Sequence, residues 1–76
     1  MKVEYSKQAV KFILKQDKPT KQRLQQAIEN LPNGDVKKLQ GQPFYRLRVG
    51  DFRVLFNANG QLIFISKIGN RGEIYK

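Results

Sequence analysis

The chain has 76 residues, enough for one domain and too few for a second. It contains no cysteine and no histidine, which excludes a disulfide framework, a thiolate zinc site and the most common general base at neutral pH. Fifteen Lys and Arg residues against six Asp and Glu residues give a net charge of +9, which favours polyanionic partners, nucleic acid first and an acidic protein or membrane surface second. No stretch resembles a signal peptide, and the longest apolar run, Leu62 to Ile65, is too short to cross a membrane. We therefore expect a cytoplasmic protein with no membrane partner.

The N-terminal part of the sequence predicts one strand followed by two helices. Polar and apolar residues alternate from Lys2 to Tyr5, as in a short strand, and Ser6 can act as the N-cap of a helix. Apolar residues then recur at helical spacing in two stretches, Ala9 to Leu14 and Leu24 to Leu31. The cluster Asp17-Lys18-Pro19-Thr20 between them ends the first helix and begins the second.

The C-terminal part predicts a strand meander. Residues 35–43 are interpreted as a polar connection. Gly50-Asp51 and Asn59-Gly60 are two-residue hairpin turns, of type II′ and type I′ respectively. The predicted strands are Phe44 to Val49, Phe52 to Asn57, Leu62 to Ile68 and Glu73 to Lys76. The predicted fold is α+β, a single domain over residues 1–76, with an N-terminal strand and a two-helix hairpin packed on one face of a small antiparallel sheet.

The register of the first hairpin brings three arginines together. If Gly50-Asp51 closes the hairpin, Arg48 lies opposite Arg53 and Arg46 lies opposite Leu55. Because side chains alternate along a strand, the three arginines share one face and the apolar residues share the other, under the helices. The like-charged pair is destabilising, and neither strand carries an acidic residue to relieve it. We interpret this face as a phosphate-binding surface, with an ordinary arginine-rich polar face as the alternative.

The same register, continued through Asn59-Gly60, places three apolar residues beside the arginines. These residues are Leu55, Leu62 and Phe64, with Phe64 opposite Leu55 and Ser66 opposite Arg53. An apolar strip next to a basic patch is expected to be covered, either by stacked nucleic-acid bases or by a protein partner. The alternative is a one-residue bulge that exchanges the two faces of the strand, so that these three side chains become buried.

Two further features are open to two interpretations each. Lys37 and Lys38 precede Gly41 and the first meander strand, and they are candidate phosphate contacts, although either alone fits a solvated loop charge. Tyr75 is a candidate for chemistry, although a lone tyrosine near a C-terminus more often packs at an edge.

Three stretches of the strand-rich C-terminal part, in their order and spacing, resemble the RelE/ParE superfamily of bacterial toxin–antitoxin systems. The family pattern consists of a KLxG segment, a YRLRxGxYR hairpin and a GxRxxxY end. The matching stretches are Lys38 to Gly41, Tyr45 to Phe56 and Ile68 to Tyr75. The resemblance spans essentially the whole chain and also fits the two-helix N-terminal half.

The resemblance implies a function and a set of partners. Members of the RelE branch are endoribonucleases that enter the ribosomal A site and cut messenger RNA there, without a metal or other cofactor. The cut is an attack by a ribose 2′-hydroxyl on the adjacent phosphate. The implied partners are messenger RNA on the ribosome, ribosomal RNA and a cognate acidic antitoxin. The antitoxin is expected to cover Leu55, Leu62 and Phe64.

The resemblance also implies roles for single residues. Arg53, Arg71 and Tyr75 fall on the family's catalytic positions, and Arg46 and Arg48 on its basic hairpin positions. The best-known members have lysines at those two hairpin positions, and an arginine effectively cannot lose its proton. Arg46 and Arg48 are therefore expected to bind phosphate, with Lys37 and Lys38 as further contacts.

The proton acceptor must then be another group. Tyr75 is the first candidate, with its pKa lowered by surrounding cations, and Glu73 is the second. Arg71 would face the leaving 5′-oxygen and stabilise its charge.

Two other functions remain open from the sequence. One is that of a ParE-like toxin, which inhibits DNA gyrase by binding and cuts nothing. The other is that of a non-catalytic RNA-binding module. The presence of Arg53, Arg71 and Tyr75 together favours the nuclease, because a pure binder has no need of the terminal tyrosine.

Overall fold

The computed structural model describes residues 2–70, which form five strands and two helices. In chain order they are β1 (Lys2–Tyr5), α1 (Lys7–Leu14), α2 (Lys18–Glu29), β2 (Asp35–Lys38), β3 (Tyr45–Val49), β4 (Phe52–Asn59) and β5 (Leu62–Asn70). The predicted α+β fold, with a strand and two helices before a strand meander, is confirmed. The predicted strand from Glu73 to Lys76 lies outside the described residues. Neither of the two described helices is long and apolar enough to cross a membrane.

The five strands form one sheet in the order β1-β5-β4-β3-β2. The three pairings among β2, β3, β4 and β5 are antiparallel, but β1 pairs with β5 in parallel, with Val3 beside Ile63. The sheet is therefore mixed: β3, β4 and β5 form the predicted antiparallel meander, and β1 adds a parallel edge strand that the sequence did not indicate. Parallel neighbours need a long crossover connection, and here α1, α2 and the meander provide it. The alternation of residues in β1 could not reveal the direction of its partner.

The opposite edge of the sheet is formed by β2, which was predicted to be part of a polar connection. Asp35, Lys37 and Lys38 are exposed, and only Val36 is half-buried. Charged side chains on an edge strand discourage pairing with another chain. The same charges remove the apolar alternation from which a strand is recognised, which is the physical reason for the wrong prediction.

Both helices begin at side-chain caps, the first at Ser6, as predicted, and the second at Asp17. The Ser6 hydroxyl accepts a hydrogen bond from the Ala9 amide at 3.1 Å, and this satisfies one of the free amides of the first turn of α1. The Asp17 carboxylate does the same for the Thr20 amide at 2.9 Å in α2. Pro19 lies in the first turn of α2, where its missing N–H leaves no hydrogen bond unmade.

The apolar faces of the two helices cover one face of the sheet. Phe12 of α1 and Phe52 of β4 form an edge-to-face aromatic pair, with their ring centroids 5.7 Å apart. This contact joins α1 to β4. The buried core comprises Ala9, Ile13, Leu24, Ile28, Leu31, Leu47, Val49, Val54, Phe56, Ile63, Ile65 and Ile68. The predicted core face of β3 and β4 is therefore confirmed.

A bulge in β5 lies where β1 ends. Ser66 is left without a partner on β4, and this keeps both Ile65 and Ile68 in the core. The Ser6 hydroxyl donates to the Ser66 carbonyl at 2.8 Å. The Gln8 side chain donates to the Ile68 carbonyl at 2.8 Å and accepts from the Ile68 amide at 2.9 Å. Side chains at the start of α1 thus continue the pairing that β1 begins.

The two hairpin turns differ in how well they were predicted. The first is Gly50-Asp51, as expected, and Gly50 has a positive φ of 58°. The second is Gly60-Gln61, because Asn59 pairs with Leu62 as the last residue of β4. The predicted type I′ turn is wrong, since it requires a positive φ at Asn59 and no non-glycine residue described has one.

Candidate nucleic-acid interface

The face of the sheet away from the helices, here called the outer face, carries the arginines. The pairing of Arg48 with Arg53 and of Arg46 with Leu55 is confirmed. By register the outer face comprises Lys2, Glu4, Asp35, Lys37, Arg46, Arg48, Arg53, Leu55, Asn57, Asn59, Leu62, Phe64, Lys67 and Gly69. Six of these residues are basic and two are acidic, so the described outer face is strongly cationic.

The three arginines of this face differ in their exposure to solvent. The Arg48 side chain is 44% exposed, that of Arg46 is 15% exposed, and Arg53 as a residue is only 4% exposed. The Arg53 guanidinium donates to the carbonyl of Phe52 at 3.2 Å, and the residue opposite Arg53 on β5 is Gly69, which has no side chain. The three arginines share a face as predicted, but the cationic surface open to solvent is narrower than expected and is centred on Arg48.

An acidic residue outside the hairpin relieves the repulsion among the arginines. Asp35 of β2 lies directly opposite Arg48. Its carboxylate oxygens are 3.3 Å from an Nη of Arg46 and 3.9 Å from an Nη of Arg48. This contact was not predicted, because residue 35 was interpreted as part of a connection. The only local signal is the single apolar Val36 between two charged residues, which is too short an alternation to identify a strand.

The two candidate lysines lie on opposite faces of β2. Lys37 is paired with Arg46 on the outer face, and Lys38 is paired with Tyr45 on the helix-covered face. Both nevertheless line an open groove of about 270 Å³ at the end of β2, together with Leu39, Gln40 and Arg46. The groove is cationic and next to the arginines, so phosphate could approach Arg46 from this side. The Arg46 ε nitrogen is buried, with no hydrogen-bond partner among residues 2–70.

The apolar residues Leu55, Leu62 and Phe64 lie outside the core, as predicted. Their pairing differs from the expected one, because Leu55 is opposite Lys67 and Phe64 is opposite Asn57. The shifted turn moves the register by two residues, which preserves the face on which each side chain lies. The bulge comes after Phe64 and does not reverse this. Phe64 is 37% exposed, whereas Leu55 and Leu62 are half-buried.

The other candidate catalytic residues, Arg71, Glu73 and Tyr75, lie outside the described residues. Within residues 2–70, no group of three or more acidic side chains is placed to hold a metal ion. The described part of the candidate site therefore comprises the predicted phosphate contacts and, of the candidate catalytic residues, Arg53 alone.

A larger groove of about 550 Å³ lies away from the outer face, between α2 and the end of β3. Arg23, Glu29 and Val49 are among the residues that line it. Arg23 also covers the first hairpin turn, since a side-chain carbon added at Gly50 would be 2.8 Å from its guanidinium. One cation and one anion give this groove no strong charge, so despite its greater volume it is a weaker candidate for a polyanion interface than the outer face.

Comparison with known proteins agrees with this architecture. Residues 3–75 match the model of a family described as the ParE toxin of the type II toxin–antitoxin system parDE. The chain is 31% identical to Toxin RelE3 of Methanocaldococcus jannaschii over 84 residues, covering 99% of this chain and 96% of the relative. It superposes with a TM-score of 0.78 and 30% identity on a chain of the archaeal RelE–RelB complex from Pyrococcus horikoshii, covering 95% and 96% of the two chains. The RelB–RelE antitoxin–toxin complex from Methanococcus jannaschii gives a TM-score of 0.75 at 28% identity, with 95% and 94% covered.

The fold, with its cationic outer face, is thus that of a type II toxin of a toxin–antitoxin system. The family match covers nearly the whole chain, and the likeness to Toxin RelE3 is equally complete. The chain therefore belongs to the RelE/ParE toxin superfamily.

Proposed function

We propose that this toxin is a metal-independent endoribonuclease that cleaves messenger RNA in the A site of the ribosome. The observation that carries the proposal is the cationic outer face, on which six basic side chains are set against two acidic ones. Clustered cations of this kind bind the phosphate backbone of nucleic acids. The full-length likeness to Toxin RelE3 supports the RelE branch.

In this proposal the exposed cations hold the RNA backbone. Arg48 is the main phosphate contact because it is the most exposed of the three arginines. Arg46, Lys37 and Lys38 line the groove beside it and would hold a neighbouring phosphate, and contacts to ribosomal RNA would use the same cations. A planar guanidinium can donate two parallel hydrogen bonds to one phosphate, which fixes the orientation of the scissile group.

The chemical step would be a transfer within the RNA. The ribose 2′-oxygen forms a bond to the adjacent phosphorus as the bond from phosphorus to the 5′-oxygen breaks, which leaves a cyclic phosphate. Tyr75, or failing that Glu73, would take the proton of the 2′-hydroxyl. Arg71 would stabilise the leaving 5′-oxygen. Arg53, which is only 4% exposed, would stabilise the charge on the phosphate through its positive field rather than by direct contact.

The proposal also includes a cognate acidic antitoxin. Two similar toxins were solved in complexes with RelB. In this chain the exposed Phe64, with the half-buried Leu55 and Leu62 beside it, provides an apolar strip for such a partner, and the charge of +9 favours an acidic one. An antitoxin segment that folds as it binds could wrap this surface.

The decisive experiment is single-turnover cleavage of messenger RNA on programmed ribosomes, with wild-type protein and with Tyr75→Phe. General base catalysis contributes about 100- to 10,000-fold in rate, so we expect cleavage by Tyr75→Phe to fall by that order. Binding to the ribosome should barely change, because the ring remains. Near-native cleavage by this variant would remove Tyr75 as the base and make Glu73 the residue to test. Intact messages with the wild-type protein would contradict the nuclease itself.

A second function is favoured by one observation, the description of the matching family as a ParE toxin. A protein of that kind would inhibit DNA gyrase by binding. Expression without an antitoxin separates the two functions, since the nuclease arrests translation and the gyrase inhibitor arrests replication with messages intact.

A further inference from the structure

Asp35 is the one acidic residue on the three neighbouring strands β2, β3 and β4. It lies at the edge of the sheet, on the same face as the arginines and directly opposite Arg48. Its side chain is 55% exposed, so its position beside two arginines is not imposed by burial.

The carboxylate is shared between two guanidinium groups. One oxygen accepts a hydrogen bond from Arg46 at 3.3 Å, and the other lies 3.9 Å from Arg48. A phosphodiester likewise presents two charged oxygens on one centre. The Asp35 carboxylate therefore occupies the position in which a phosphate would be held by the same pair of arginines.

We propose that Asp35 is a specificity-determining residue, an internal competitor that the RNA phosphate must displace from Arg46 and Arg48. This inference rests on the proposed function, because it assigns those two arginines to phosphate. The Asp35 carboxylate is 55% exposed and its two contacts are long, at 3.3 and 3.9 Å, so these ion pairs are weak. A phosphate that gains several other contacts can therefore displace the carboxylate. A polyanion that offers few other contacts cannot do so as readily. Asp35 thus suppresses binding to RNA in general more than binding to the correct substrate.

Asp35→Asn tests this proposal, because it removes the charge and keeps the shape. The probe is a short oligouridylate, with binding measured at several salt concentrations. We expect the affinity at low salt to rise about two- to fivefold, the effect of removing one weak ion pair. The logarithmic salt slope should steepen by about 0.7, the value of one additional contact to a single-stranded phosphate.

The matched control is Asp51→Asn, which makes the same change of charge in the β3–β4 turn. Asp51 takes part in none of the ion pairs found within residues 2–70. The Asp51→Asn variant therefore reports the effect of net charge alone, and the salt slope of its RNA binding should remain near that of the wild type. Asp35→Glu restores the carboxylate and should bring the slope back toward the wild-type value. Equal slopes for Asp35→Asn and Asp51→Asn would overturn the proposal.

A second measurement separates this inference from the proposed function. On programmed ribosomes, cleavage by Asp35→Asn at saturating protein should stay within about twofold of wild type, because Asp35 takes no part in the chemical step. Inhibition of this cleavage by added bulk RNA should become stronger by the same factor as the oligouridylate affinity. Unchanged inhibition would overturn the role of Asp35 even where cleavage proceeds. Loss of cleavage by wild type and variant alike would contradict the nuclease, while the oligouridylate slopes would still decide the role of Asp35.

Discussion

Arg46, Arg48 and Arg53 show how one residue type takes different roles on one sheet face. The face itself was predictable from two facts, a two-residue turn at Gly50-Asp51 and the alternation of side chains. The surroundings of each arginine were not predictable, because they depend on residues that lie outside this hairpin. Asp35 comes from a strand that precedes the hairpin, and Gly69 from one that follows it. Exposure therefore separates Arg48, open to solvent, from the buried Arg53.

Alanine substitution should separate Arg48 from Arg53. Arg48→Ala should flatten the salt slope of RNA binding by about 0.7 and leave the free energy of unfolding within about 0.5 kcal/mol of wild type. Arg53→Ala should lower the free energy of unfolding by about 1 to 2 kcal/mol, because it removes buried packing and the hydrogen bond to the Phe52 carbonyl. Urea unfolding and RNA binding at two or more salt concentrations provide the measurements. A larger loss of stability in Arg48→Ala than in Arg53→Ala would contradict this assignment.

At the scale of elements, α1, α2 and the first hairpin were predictable because each carries a complete local signal. The helices have caps and apolar stripes, and the hairpin has a glycine at its turn. β2 lacked such a signal, since a charged edge strand is defined by the neighbour it pairs with. The second turn was predicted at the wrong position, because Asn-Gly has a strong local preference for a two-residue hairpin turn. The register of β4 and β5 is instead set by which isoleucines enter the core.

The junction between α1 and β5 gives a test at this scale. Gln8 bonds both the amide and the carbonyl of Ile68, a fully buried residue beyond the end of β1. Gln8→Ala leaves both groups unpaired, so we expect the free energy of unfolding to fall by about 1 to 3 kcal/mol. Gln22→Ala is the control, because this exposed α2 glutamine has no side-chain hydrogen bond among the described residues. Equal urea midpoints for the two variants would show that the Gln8 contacts contribute nothing.

The whole molecule has two different surfaces. On the helix side, α1 and α2 cover the core, and the apolar residues Val10 and Leu14 remain 42% and 65% exposed. The outer face carries the cations and Phe64. With a net charge of +9, the chain repels itself and gains from any acidic partner that neutralises it. The proposed RNA and the proposed antitoxin therefore compete for one face.

The affinity of surface variants for the cognate antitoxin shows which surface of the toxin the antitoxin covers. Phe64→Ala should weaken binding roughly 5- to 30-fold, the effect of removing an aromatic contact worth about 1 to 2 kcal/mol. Leu14→Ala, which truncates an even more exposed apolar side chain on α1, should have no measurable effect. Calorimetry at moderate salt measures both affinities. A loss of affinity confined to Leu14→Ala would place the interface on the helix side, and an acidic neighbour that does not bind would refute the pairing.

The parallel pairing of β1 with β5 has a consequence for when the protein becomes active. Val3 meets Ile63 across a sequence separation of 60 residues, and the Ser6 and Gln8 contacts to β5 span the same separation. Contacts this remote in sequence form slowly, since a large loop must close before they contribute any stability. A growing chain that ends before β5 leaves β1 and the start of α1 without their partners. We therefore expect a nascent toxin to remain unfolded and harmless through most of its synthesis, acquiring its fold only once β5 has left the ribosome that made it.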